Sequence, residues 1–174
     1  MLVLDLLLQA RNFFSHSLAA MSPFFEKSAL SFYSIPAVWL TAFVPVMLKS
    51  VAIKKVKGFN NVQPRTNVSR VAGDAKIPPA VAARIERMEG AHMNGNENFP
   101  LWAVAVLAGN FAGLDNRTMN IISIVYFCAR VLYNYVYITQ ETRRQSSIRT
   151  LIFFSNLCLP LYLLLAAATK LARK

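Results

Sequence analysis

Ser31 to Ile53 reads SFYSIPAVWLTAFVPVMLKSVAI, with no charge before Lys49. An apolar run of that length is enough to cross about 30 Å of hydrocarbon as a helix. Two further blocks of similar length follow, 120–138 and 148–168, and Arg130 is the one charge inside the first of them. A fourth block, 99–114, is shorter, but a helical pattern continues upstream of it to Pro78-Pro79, where a helix is able to begin. At 1.5 Å per residue that helix is expected to be about 50 Å long and to project beyond a bilayer. Four membrane helices are expected, with Pro36, Pro45, Pro100 and Pro160 tolerated where neighbouring helices satisfy the backbone.

Composition excludes the alternatives. The 174 residues are 55% hydrophobic and 16% charged, whereas a water-soluble domain carries about 25% charged residues. Twelve Phe, six Tyr and two Trp exclude disorder, and two cysteines exclude a disulfide scaffold. No internal period suggests a repeat solenoid. Nineteen Lys and Arg against eight Asp and Glu, a formal +11, raise the question of nucleic acid. No aromatic stripe or recognition motif interleaves with those charges, so no nucleic-acid partner is expected. The fold class is therefore an all-α, integral-membrane four-helix bundle with an additional N-terminal helical segment.

Residues 1–30 form the accessory segment. Leu2 to Leu8 is apolar but interrupted by Asp5 and has no basic residue ahead of it, which fits a cleaved signal peptide poorly. An interfacial or membrane-embedded helix is expected there, with a signal-anchor or a mobile tail as the alternative. The membrane domain is placed at 31–170 and a basic tail at 171–174. Nine Lys and Arg fall between Lys49 and Arg87, and Arg143, Arg144 and Arg149 follow the third span. Basic loops are retained in the cytosol, which puts both termini on the opposite side, although Lys170, Arg173 and Lys174 pull against this. The sequon at Asn67 is then cytosolic and the sequon at Asn116 lumenal, close to the membrane. The excess positive charge serves topology and attraction to anionic lipid, at about 1 kcal/mol per residue near the surface.

Polar groups at membrane depth are costly and need partners or a purpose. At 100° per residue, Arg87, Asn94 and Glu97 lie within about 80° of one another on the second helix, with His92 nearly opposite. On the third, Arg130, Tyr133 and Tyr137 stand at i, i+3 and i+7, one face. These groups either satisfy one another, for instance as an Arg130–Glu97 ion pair, or gather into a site for a small charged molecule. Arginine pairs bidentately with carboxylates and glutamate accepts from ammonium, so a zwitterion or polyanion is the matching ligand. Cys128 and Cys158 sit within spans and are expected to pack in the core. His16 and His92 have no cysteine near them, and no metal site is expected. Gly109-x-x-x-Gly113 is a weak helix-contact motif.

Ala91-His92-Met93-Asn94, then Glu97-Asn98-Phe99-Pro100-Leu101-Trp102, then Ala129-Arg130-Val131-Leu132-Tyr133 with Tyr137, resemble the MAPEG family, membrane-associated proteins in eicosanoid and glutathione metabolism. The resemblance covers about 31–168. It implies a homotrimer of four-helix protomers in the endoplasmic reticulum or an equivalent membrane, with glutathione between neighbouring protomers near the cytosolic side. Asn94 and Glu97 are then expected against the peptide part of glutathione, Tyr133 and Tyr137 along the same site, and Arg130 and Arg87 as anchors. Lys54 and Lys55 match more loosely. The resemblance also implies an arginine at the start of the fourth helix that stabilises the glutathione thiolate. Arg149 is the choice and Arg144 the alternative. A thiol has a pKa of about 8.5, and a fixed guanidinium lowers it, which raises the fraction of nucleophile at neutral pH.

This sequence departs from the family pattern at Gly90, where many members carry arginine, and at Met93, where some do. The implied activity is that of a glutathione-dependent transferase or peroxidase acting on a lipophilic electrophile or hydroperoxide. The alternative is a non-catalytic scaffold or lipid-binding partner protein that keeps the same helices. A small transporter is disfavoured, since four helices without an internal repeat give little basis for alternating access.

Overall fold

A computed structural model describes Glu26 and residues 29–173, so the accessory segment expected at 1–30 lies almost wholly outside the described residues. The chain folds as α1 (Leu30–Lys57), a 3-10 turn (Pro64–Thr66), α2 (Asn67–Ala72), α3 (Pro79–Phe111), α4 (Asn116–Thr139) and α5 (Arg143–Leu171), with no strand among the described residues. Three helices, α1, α4 and α5, are long and apolar enough to cross a membrane. The long helix α3 differs. Its first half carries Arg84, Glu86, Arg87 and Glu89, and the apolar remainder from Phe99 is too short alone for about 30 Å of hydrocarbon.

Local chemistry sets the helix ends. Pro79 opens α3 at the first helical position, where its missing N–H costs nothing. α4 starts at Asn116, ahead of the expected 120, because the Asp115 carboxylate accepts from the Thr118 N–H at 2.9 Å. α5 starts at Arg143, ahead of 148, because Thr142 and Gln145 form a capping box. α1 continues to Lys57, so Lys49 lies inside a helix and not in a loop. There it is buried, and its Nζ donates to Glu89 on α3. Gly113 serves the turn, whereas Gly109, inside α3, lets Met119 of α4 pack closely against it. Gly113 takes φ 71°, and a Cβ on Gly109 would stand 2.7 Å from the Met119 sulfur.

One core joins all four long helices: Val38 of α1, Trp102 and Val106 of α3, Met119 and Tyr126 of α4, and Leu163 of α5. The Trp102 ring stacks on Tyr126 with centroids 4.0 Å apart, and its Nε1 donates to Ser34 Oγ at 3.2 Å. Large apolar side chains such as Tyr33, Leu151 and Leu165 are exposed, which suits hydrocarbon better than water. In lipid, apolar burial between helices contributes little, and close packing with inter-helix hydrogen bonds holds them together.

Pro45 illustrates this. It has no N–H for the Thr41 carbonyl four residues back, and Asn134 Nδ2 of α4 donates to that oxygen at 2.7 Å. Asn134→Leu leaves the carbonyl without a partner and is expected to cost about 1–3 kcal/mol, read as a lower Tm in detergent.

The segment 58–78 is organised from within. Asn67 is buried; its Oδ1 accepts from the Asn60 N–H and its Nδ2 donates to the Asn60 and Pro64 carbonyls, so the sequon amide is fully engaged. Lys57 donates to Asp74 and, with the Lys76 N–H, holds the Asp74 carboxyl below its ordinary range. A depressed folded-state value stabilises above the unfolded pKa and is lost as pH falls through the lower folded one. Hydrogen-exchange protection of 58–78 is therefore expected to hold from neutral pH down to about 4 and to fall below it. Asp74→Asn is expected to flatten that dependence.

Candidate functional site

Arg130 is 2% exposed, an unusual state for a guanidinium. Its Nη1 and Nη2 both donate to Asn94 Oδ1 of α3, each at 3.2 Å. Its Cζ lies 4.8 Å from the centre of the Tyr133 ring, one turn further along α4. Gly95, next to Asn94, lets α1 approach α3 closely at this level. A Cβ there would stand 2.5 Å from Ala42 Cβ, 2.9 Å from Ala42 Cα and 3.7 Å from Arg130 Nη2. The missing side chain thus brings α1 against α3 directly beside the guanidinium.

From Tyr133 the arrangement extends to α5. The Tyr133 and Tyr137 rings lie 5.6 Å apart, and Arg149 Cζ is 5.0 Å from the centre of Tyr137. Phe153, one turn after Arg149, packs on Tyr133 at 6.1 Å. Together these leave a crevice of about 310 Å³ lined by Asn94, Tyr133, Tyr137, Arg149, Thr150, Phe153 and Phe154. That volume is at the lower end for small-molecule sites.

Electrostatically the crevice is one-sided. The ion pairs among the described residues are Lys49–Glu89 and Lys57–Asp74, so neither Arg130 nor Arg149 is neutralised by a carboxylate. Arg130 has five N–H donors, and both contacts seen go to one neutral amide oxygen. Arg149 lines the crevice, and Arg130 lies buried behind Asn94 and Tyr133, off the lining; a guanidinium without a carboxylate partner suits an anion, since burying charge unpaired is costly.

The remaining expected residues are distributed as follows. Arg149 lines the crevice, whereas Arg144 is exposed on the first turn of α5 and does not. Arg87 Nε donates to the Ile138 carbonyl at 3.1 Å, capping the end of α4 away from the crevice lining. Glu97 is exposed and forms no ion pair with Arg130, because Asn94, one turn earlier on α3, holds the guanidinium. At Gly90, a Cβ would be 2.6 Å from the Tyr137 hydroxyl, so Tyr137 occupies the space that a side chain at 90 would need.

His92 faces α1: its Nδ1 is 2.7 Å from the Ala42 carbonyl. A carbonyl only accepts, so Nδ1 carries the hydrogen, leaving Nε2 to accept from Asn96 Nδ2 at 3.2 Å. Cys128 and Cys158 are exposed on α4 and α5 and not in the core, since their helix faces point outward; both are free thiols.

Thr150, Phe153 and Phe154 were not expected at the site. Phe153 had a legible signal, standing four residues after Arg149 and so on the same helical face. The family model for the MAPEG family matches residues 30–169. No curated protein and no solved structure matches the chain.

Proposed function

Since the chain belongs to the MAPEG family, we propose that it is a membrane-embedded glutathione-dependent enzyme that activates the thiol for attack on a lipophilic electrophile or hydroperoxide. The observation that carries this is Arg149, a guanidinium without a carboxylate partner on the crevice lining, beside Asn94, which Arg130 holds from behind. Glutathione offers two carboxylates, one ammonium and an ionisable thiol, a net anion whose groups complement that set. Arg130 and Asn94 anchor the peptide part, Glu97 receives the ammonium, and Tyr133 and Tyr137 wall the site. Arg149, held over Tyr137, stabilises the thiolate.

The sulfur then attacks the electrophilic carbon and forms a C–S bond while the displaced group leaves with its electron pair. With a hydroperoxide, the thiolate takes the distal oxygen and the alkoxide is protonated to an alcohol. A second glutathione reduces the resulting sulfenate, giving the disulfide and water.

In this reading α3 crosses the membrane with α1, α4 and α5 as a four-helix bundle. Asn96 and Glu97 are exposed on α3, and neighbouring copies in a homotrimer would shield those polar groups from lipid and complete the crevice. The basic segment 58–78 faces the cytosol, in the endoplasmic reticulum or an equivalent membrane. A second reading, a non-catalytic scaffold, is favoured by one observation: Arg130 already contacts Asn94 and Tyr133 within the chain.

Thermal unfolding in detergent separates the two. Glutathione at about 100 times its Kd is expected to stabilise the folded protein by about 2.7 kcal/mol. Absence of any protection would favour the scaffold.

A further inference from the structure

A second concavity, of about 520 Å³, runs between α1 and α4 and shares no lining residue with the crevice. Leu40, Val44 and Leu48 form one wall and Phe127, Val131 and Ile138 the other. Thr41 and Asn134, joined by the amide-to-carbonyl bond opposite Pro45, brace it from below. Among the described residues its only charged lining residue is Arg84 of α3, which is exposed, and no carboxylate lines it. From Ala37 to Leu48 the groove follows α1 for about 16 Å at 1.5 Å per residue.

The polarity along this groove is that of a lipid. Both walls belong to helices apolar enough to span a membrane. Leu48, Ile138 and Thr139 mark the end at which α1 runs on to the exposed Lys54 and Lys55 and α4 is followed by Arg143 and Arg144. A guanidinium at the mouth pairs bidentately with a phosphate, and no acidic residue among the described ones lines the groove to repel it.

We propose that this groove holds an acyl chain of an anionic phospholipid from the leaflet beside segment 58–78, with the lipid phosphate against Arg84. The site is independent of glutathione chemistry. A zwitterionic lipid carries the same phosphate but no net charge, so preference for the anionic headgroup is the distinguishing property.

The test is native mass spectrometry of the protein released from bilayer discs containing equal amounts of phosphatidylglycerol and phosphatidylcholine. One phosphatidylglycerol per protomer is expected to survive release, several-fold more often than phosphatidylcholine. Val44→Trp and, separately, Val131→Trp fill the groove and are expected to remove the retained lipid. Arg84→Gln alters only the exposed mouth and is expected to leave a retained lipid but abolish the headgroup preference. The proposal is overturned if the unmutated protein shows no preference for phosphatidylglycerol, or if Arg84→Gln keeps it. It is equally overturned if Val44→Cys forms a disulfide between copies under mild oxidation, since a second copy would then cover the groove.

Discussion

Arg149→Ala is expected to shift the pH dependence of glutathione conjugation to a small lipophilic electrophile upward by about 1–3 pH units. The thiolate is the reacting form, and an opposite charge within a few ångströms favours it; removing that charge returns the thiol toward about 8.5. At neutral pH the rate is expected to fall about tenfold or more, since each pKa unit is a factor of ten in the ionised fraction. Arg149 is held with its Cζ 5.0 Å from the Tyr137 ring centre, a contact a planar guanidinium makes better than an ammonium. Arg149→Lys is therefore expected to keep the charge and only part of the effect. Arg144→Ala, exposed and off the crevice, is expected to leave the profile in place. The reverse pattern would move the role to Arg144.

Gly95→Ala is expected to destabilise the protein by about 1–3 kcal/mol, the range for overpacking a close contact. The new Cβ would stand 2.5 Å from Ala42 Cβ and 2.9 Å from Ala42 Cα, so the backbone of α1 has to move and no rotamer change suffices. The same displacement lengthens the His92 bond to the Ala42 carbonyl. A lower Tm in detergent is the readout, and Ala42→Gly in the same chain is expected to recover part of it. A neutral Gly95→Ala would mean that α1 and α3 are not in the contact described.

Much of this was legible in the sequence because hydrocarbon imposes so few solutions. The run from Ser31 to Ile53 reads as a membrane helix by length and charge alone, and Pro78-Pro79 marks the start of α3 by the conformational demand of proline. The shared face of Arg130, Tyr133 and Tyr137 follows from helical periodicity, and the three do stand in a row, Arg130 against Tyr133 and Tyr133 against Tyr137.

What periodicity within one helix cannot supply is the partner across a helix contact. An Arg130–Glu97 ion pair is one pairing that charge suggests, but the guanidinium donates instead to the amide oxygen of Asn94 across the α3–α4 contact. Asn134 was passed over for the same reason: its use depends on a carbonyl freed by Pro45 in another helix. Cys128 and Cys158 looked like core residues because membrane spans are apolar on every side, so hydrophobicity does not distinguish inward from outward faces.

On the proposed function, the uncompensated Arg149 guanidinium on the lining makes this crevice a place where a thiol ionises. The ultraviolet difference spectrum of the protein with saturating glutathione at neutral pH, against the same protein with S-methylglutathione, tests it most directly. A thiolate band close to one equivalent per active site is the predicted result. Glutathione bound with its thiol protonated, or not bound at all, would contradict the account.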